Sequence, residues 1–177
     1  MRTFICFVLC ASIFVLCACS KKSGSFYKEV EDYQKGSSTG YTIKYDDNLF
    51  DYVKKDDFDY LVLKSLGKSS EQENSISIYK VENTDIQTQA RNIEELYKNN
   101  ETRFDIDAQT VSVSDSQILE NAKCVSALAQ NGEIVCETQL IQDNGDVFVI
   151  EYNFSTSLDD VSIENAIYAT VSSFKLK

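Results

Sequence analysis

This chain of 177 residues contains six cysteines, ten tyrosines and 28 acidic side chains, but no histidine. Absence of histidine removes the commonest general base and metal ligand. It also leaves a cysteine nucleophile without the imidazole that would activate it. Cysteine and carboxylate chemistry remain. In the stretch "LCACSKK", Cys17 and Cys19 stand one residue apart, as a C-x-C metal pair would. No other Cys or His lies nearby to complete four ligands, so no metal site is expected there.

Cys124 and Cys136 invite a disulfide reading in an exported protein. The hairpin between them argues against it. If Asn131-Gly132 forms a two-residue turn, Cys136 faces Ala127 and Cys124 faces Gln139, which puts the two thiols on opposite sides of the sheet. Two free, packed thiols are the expectation.

Carboxylates cluster at Asp46-Asp47, at Asp56-Asp57 with Asp59, at Asp105 with Asp107, and at Asp159-Asp160. Asp-rich loops can hold hard cations, and paired acids across a cleft can hydrolyse glycosides. No cluster matches the twelve-residue calcium loop, and "DNGD" at 143–146 reads better as a hairpin turn. Solvated loop and capping carboxylates are therefore expected. The tyrosines are expected mainly in the core, with some free to line a recognition surface. Gly-rich phosphate loops, CxxC pairs and Ser-His-Asp arrangements are all missing, and no cofactor is expected.

The chain begins with a single charge, Arg2, followed by an apolar run from Phe4 to Ala18 broken only by Ser12. These are the n- and h-regions of a secretory signal. At about 15 residues the run is short of the ~18 to 20 that a spanning helix needs. Leu16, Cys17, Ala18 and Cys19 resemble the lipobox of bacterial lipoproteins, with Cys17 as the imperfect match. That resemblance implies cleavage before Cys19 and a diacylglycerol on its sulfur. Two or three acyl chains, each gaining ~0.8 kcal/mol per buried CH₂, would hold the protein to a membrane stably. Lys21 and Lys22 would then sit at the headgroups.

The expected organisation is a signal peptide over 1–18, a lipidated cysteine and tether over 19–40, and one domain over 41–177. Since Arg2 is the only charge before Cys19, the remainder carries 16 basic against 28 acidic groups, a net of -12. Such a surface repels phosphate backbones and excludes nucleic acid as a partner.

Several elements must position these groups. "FYKEVEDY", within the tether, is read as a short helix or a disordered spacer. "YTIKY" and "SISIYKV" alternate as half-buried strands, while "DYLVLKS" is continuous enough for burial on both faces. Ile86, Ala90, Ile93 and Tyr97 follow helical spacing after a capping box at Thr84 to Gln87, which predicts a helix over 85–99. "TVSVS" returns to strand. Turns at Asn131-Gly132 and Asn144-Gly145 predict strands over 122–130, 133–142 and 147–154. Ile163, Ala166, Ile167, Val171 and Phe174 mark the core stripe of a last helix begun near residues 157–160. Tight hairpins force antiparallel pairing, so the predicted class is α+β, a central antiparallel sheet covered by helices.

"GYTIKYDDNLF", "NSISIYKV", "NIEELYKNN", "DVFVIEYNF" and the ending "IENAIYATVSSFKL" resemble the PsbP-like superfamily, which includes DcrB-like lipoproteins, over about residues 40 to 177. The ending is the most specific element, through Ser173-Phe174. Family members often carry Pro where this chain has Asp46. The resemblance implies an α/β/α sandwich used for binding and assembly, with no common catalytic residues. The functional expectation is a lipid-anchored, non-enzymatic binding or assembly module of the cell envelope. Its partner would be an envelope protein or a small ligand. The alternatives are an envelope hydrolase working through Asp/Glu pairs, with or without a divalent metal, and a carrier of a small apolar ligand.

Overall fold

A computed structural model describes residues 27–33, 40–54, 58–64, 75–102, 104–155 and 161–177. The expected signal and the lipobox-like stretch with Cys19 lie outside these residues. Ten strands and two helices follow in the order β1 (Tyr27–Tyr33), β2 (Gly40–Asp46), β3 (Phe50–Lys54), β4 (Asp59–Leu63), β5 (Ser75–Val81), α1 (Ile86–Lys98), β6 (Ser112–Asp115), β7 (Ala122–Leu128), β8 (Ile134–Asp143), β9 (Asp146–Ser155), α2 (Val161–Ser172) and β10 (Lys175–Leu176). A seven-stranded antiparallel sheet runs β3-β4-β5-β9-β8-β7-β6, and a three-stranded sheet runs β1-β2-β10.

Three local expectations need correction. β1 lies in the stretch read as a tether with a short helix or a spacer; it pairs antiparallel with the whole length of β2. β4 alternates buried and half-buried residues, so "DYLVL" is a one-sided strand, and β9 is the strand buried on both faces. A central strand needs apolar groups on both sides, which "VFVIEYNF" supplies. The cap of α1 is Asp85, not Thr84: its carboxylate accepts from Gln87 N and Thr88 N, both at 2.9 Å. At the other end, Glu101 N bonds Leu96 O and Asn100 N bonds Tyr97 O, with Asn100 at φ 56°. This is a Schellman closure with Asn taking the left-handed position.

The two Asn-Gly turns differ. Asn144 (φ 48°) and Gly145 (φ 93°) are both left-handed, which gives the two-residue turn whose twist matches its strands. At the other hairpin only Gly132 (φ 71°) is left-handed, and Gly132 N bonds Ala129 O at 2.8 Å. This loop spans residues 130–133, yet Cys136 pairs with Ala127 and Cys124 with Gln139, because both loops are centred on the same point. The two thiols form no disulfide and lie on opposite faces, as the register requires.

The two faces of the large sheet are covered unequally. On one face, α1 packs over β6, β7 and β8, with Ala90, Ile93 and Tyr97 set against Val125, Ala127 and Leu140. The other face is covered mainly over β9 and its neighbours β5, β4 and β3, where α2 and β2 bury Ile167, Val171, Tyr41 and Ile43 against Phe148, Ile150, Leu61 and Ile76. Each fully buried side chain of this size contributes about 1.5 to 3 kcal/mol. The end of α2 explains the Ser-Phe pair. Ser173 Oγ accepts from Lys44 N at 2.7 Å, which fixes the helix to β2, and Phe174 stacks on Tyr41 at 5.1 Å between ring centres. Asp46 takes the turn after β2 without proline: Asn48 N bonds its carboxylate at 2.9 Å and Leu49 N bonds its carbonyl at 3.1 Å.

Candidate functional site

Among the described residues the acidic clusters do not converge. Asp46 serves its own turn, Asp107 accepts from Gln109 N at 3.0 Å, and Asp105 accepts from Asn100 and Gln130 at 3.1 and 3.0 Å. Asp59 is buried and accepts the Tyr41 hydroxyl. Asp56, Asp57, Asp159 and Asp160 lie outside the described residues. Among the described residues no three Cys, Asp or Glu side chains gather as a metal would need. Asp146, beside the second turn, accepts from Asn83 N and pairs with Lys80 at 3.0 Å. These contacts, the Asn83 amide first, hold its carboxyl below the ordinary carboxylate value.

The offset covering of the sheet leaves two quarters open among the described elements, and each carries a depression. The first lies beside α1, on its face of β4, β5 and β9. It has a volume of about 320 Å³ and is lined by Phe58, Tyr60, Leu96, Phe104, Glu101 and Glu151, among others. Strand register places Val53 opposite Tyr60, Tyr60 opposite Ser77 and Ser77 opposite Glu151, all on this face. Phe58 packs on Tyr79 and Tyr60 at 4.9 and 6.0 Å between ring centres. Val53, Phe58 and Leu96 are each 38 to 39% exposed, and they make up three of the four large apolar side chains so exposed among the described residues. Below them Tyr79 donates to Glu151 at 2.7 Å. Burial first, and then the Glu151 charge, raise its phenol well above the ordinary value, so it stays a neutral donor.

The second depression, of about 410 Å³, lies on the opposite face beside α2, over β6, β7 and β8. Glu137 accepts the Tyr152 hydroxyl on Oε2 and the Tyr168 hydroxyl on Oε1 at 3.3 Å. Gln139 Nε2 donates to the Tyr152 oxygen at 2.9 Å and to Cys124 Sγ at 3.3 Å. Because the Tyr152 proton goes to Glu137, its oxygen is the acceptor that fixes the orientation of the Gln139 amide. Burial, and after it the Glu137 charge, push the Cys124 thiol up to about 12, so it is a packing thiol and not a nucleophile. Sequence reading singled out neither Glu137 nor Gln139. The available signal was a charged and an amide residue alternating on a strand otherwise rich in apolar residues.

Tyr41, Tyr45, Tyr97 and Tyr152 are core residues, while Tyr52, Tyr60, Tyr79 and Tyr168 are half-buried. These eight tyrosines therefore divide evenly between core and half-buried positions, as their amphipathic rings allow.

This combination, a seven-stranded antiparallel sheet between two helices, is the Mog1/PsbP-like α+β fold. Three solved structures are similar. The Saccharomyces cerevisiae Ran-binding protein Mog1p superposes with a TM-score of 0.51 at 17% identity, over 84% of this chain and 94% of that one. The cyanobacterial PsbP protein CyanoP of Synechocystis gives 0.51 at 11% identity, over 92% and 99%. LpqN of Mycobacterium tuberculosis, described as involved in cell envelope biogenesis, gives 0.50 at 13% identity, over 86% and 92%. No family model matches the sequence, and no curated protein matches it.

Proposed function

We propose that this protein is a membrane-tethered, non-enzymatic binding or assembly module of the cell envelope, working through the open quarter of the sheet beside α1. One observation carries the reading: exposed Phe58 and Leu96 line a groove with aromatic walls, and exposed Val53 stands opposite its Tyr60 on the same face. Exposed apolar groups collected in one place mark an interaction surface, whereas scattered ones need no explanation. Glu101 and Glu151 line the groove and the whole surface is acidic. The occupant that fits is a protein segment presenting apolar side chains rimmed by Lys or Arg. The lipobox-like stretch supports membrane attachment through Cys19. LpqN's description supports an envelope role by analogy of fold alone.

Two measurements test this reading. Cys19→Ala releases the protein from the membrane fraction; unchanged fractionation overturns the anchor. In capture from solubilised envelopes, the double variant Phe58→Ser with Leu96→Ser loses a specific partner that the unaltered chain retains, with both proteins equally stable. Equal capture by the two overturns the groove.

A further inference from the structure

The depression beside α2 is built for a different occupant. Its hydrogen bonding around Glu137 and Gln139 is one-sided. The two tyrosine protons there go to Glu137, and the Gln139 amide nitrogen is spent on Tyr152 and Cys124. What remains on these two side chains is acceptors, while Ser114, Gln117 and Ser126 elsewhere in the lining keep donors of their own. Gln139 is 2% exposed, and its Oε1 receives no hydrogen bond from the protein. A carboxylate offers about four lone-pair sites, and the two phenols use two of those on Glu137. Among the described residues none lining the depression carries a positive charge. The nearest described cation in sequence, Lys123, is held by Asp115 at 2.7 Å. A buried amide oxygen without a donor is unfavourable, and Oε1 itself has almost no accessible surface, so a group that supplies a donor is favoured there once the Gln139 side chain yields slightly toward the depression.

A ligand for this place must bring donors and positive charge together. A primary ammonium brings three donors and one charge on a compact head, small enough to meet Glu137 and Gln139, two residues apart on the same face of β8. The Tyr168 ring lines the same depression, and an aromatic ring is a favourable neighbour for a cation. A volume of about 410 Å³ leaves room for the body of a small molecule behind that head. We propose that the depression binds the primary ammonium group of a small organic amine, with Glu137 as its counter-ion and Gln139 Oε1 as a buried acceptor. This site lies on the opposite face from the groove beside α1 and stands or falls separately from it.

The test is a titration of the full-length, isotope-labelled chain in mild detergent, followed by amide NMR. The probes are glucosamine and n-butylamine, with glucose and n-butanol as uncharged counterparts. The expected result is saturable shifts with the amines alone, centred on the Gln139 side-chain amide and the backbone of β7 and β8. Glu137→Gln and Gln139→Leu each weaken binding roughly tenfold to a hundredfold, as loss of a charge-assisted hydrogen bond would. Tyr168→Ala, which removes a half-exposed ring, weakens it as well and keeps the test open if a strand variant does not fold. The proposal is overturned if amines and uncharged counterparts act alike, or if no shift saturates because water alone satisfies Gln139. It is equally overturned if the amine shifts spread over the acidic surface and survive Glu137→Gln.

Discussion

Removing the hydroxyl of Tyr97 tests how α1 is held to the sheet, and with it the wall of the groove. Tyr97 Oη and Thr138 Oγ1 are 2.9 Å apart, with Tyr97 9% exposed and Thr138 fully buried. Tyr97→Phe leaves the threonine hydroxyl without its partner in a dry place, at a cost of about 1 to 3 kcal/mol. Thr138→Val is nearly isosteric and leaves the phenol unpaired instead. Tyr97 lies at the margin of the groove, so this cost falls near the lower end of the same range. The double variant replaces both partners with apolar groups of the same shape and should be destabilised by less than the sum, with a coupling of roughly 1 kcal/mol. For a domain of this size each kcal/mol moves Tm by about 2 to 4 °C. Urea unfolding at pH 7, followed by circular dichroism on all four proteins, gives the cycle directly. Strict additivity would refute the reasoning, because it would mean that the two hydroxyls do not depend on each other. Burial also raises the Tyr97 phenol above its ordinary value of 10.0. The folded state therefore keeps the proton when the unfolded chain loses it, and stability falls as pH rises past 10. Tyr97→Phe should make that alkaline fall shallower.

Ile167 is fully buried between α2 and the sheet, so Ile167→Ala should cost about 2 to 5 kcal/mol in the same unfolding assay; a loss under 1 would contradict the packing. The Thr88 backbone amide, then its hydroxyl, lower the Asp85 carboxyl below its ordinary 3.8. A carboxyl depressed on folding adds stability above that value and loses it as pH falls through the folded one. Asp85→Asn, which cannot ionise, should therefore be less stable than the parent near neutrality and converge on it between pH 5 and pH 2, as measured by urea midpoints. Gly145→Ala should destabilise more than Gly132→Ala: both sites have open space, but φ 93° is farther from the left-handed well than φ 71°. Equal thermal shifts would contradict this. Cys124 and Cys136 should resist iodoacetamide at pH 8 in the folded protein and react in urea, and a disulfide detected by mass would overturn the register.

The local periods of this sequence determined most of its elements and the pairing across its two Asn-Gly hairpins. Period-2 runs, a helical stripe from Ile86 to Tyr97 and two Asn-Gly turns are short-range signals, and each specifies backbone geometry within a few residues. The opposite facing of Cys124 and Cys136 followed from parity alone, and it survived a loop of a different kind because the centre of the hairpin did not move. The proposed address also rests on a local signal, a charge, an apolar run and a cysteine in series.

Tertiary structure decided what no local signal encodes. β1 exists because β2 offers it a pairing edge, and "YKEVEDY" taken alone has no strand period to announce it. Which quarters of the sheet lie open depends on where two helices, 63 residues apart from the end of one to the start of the other, settle on opposite faces. Glu137 and Gln139 became a site only when Tyr152 from the neighbouring strand and Tyr168 from α2 came to them. Burial and partners, not residue type, make an amide oxygen a place for a ligand. Both are properties of the packed chain.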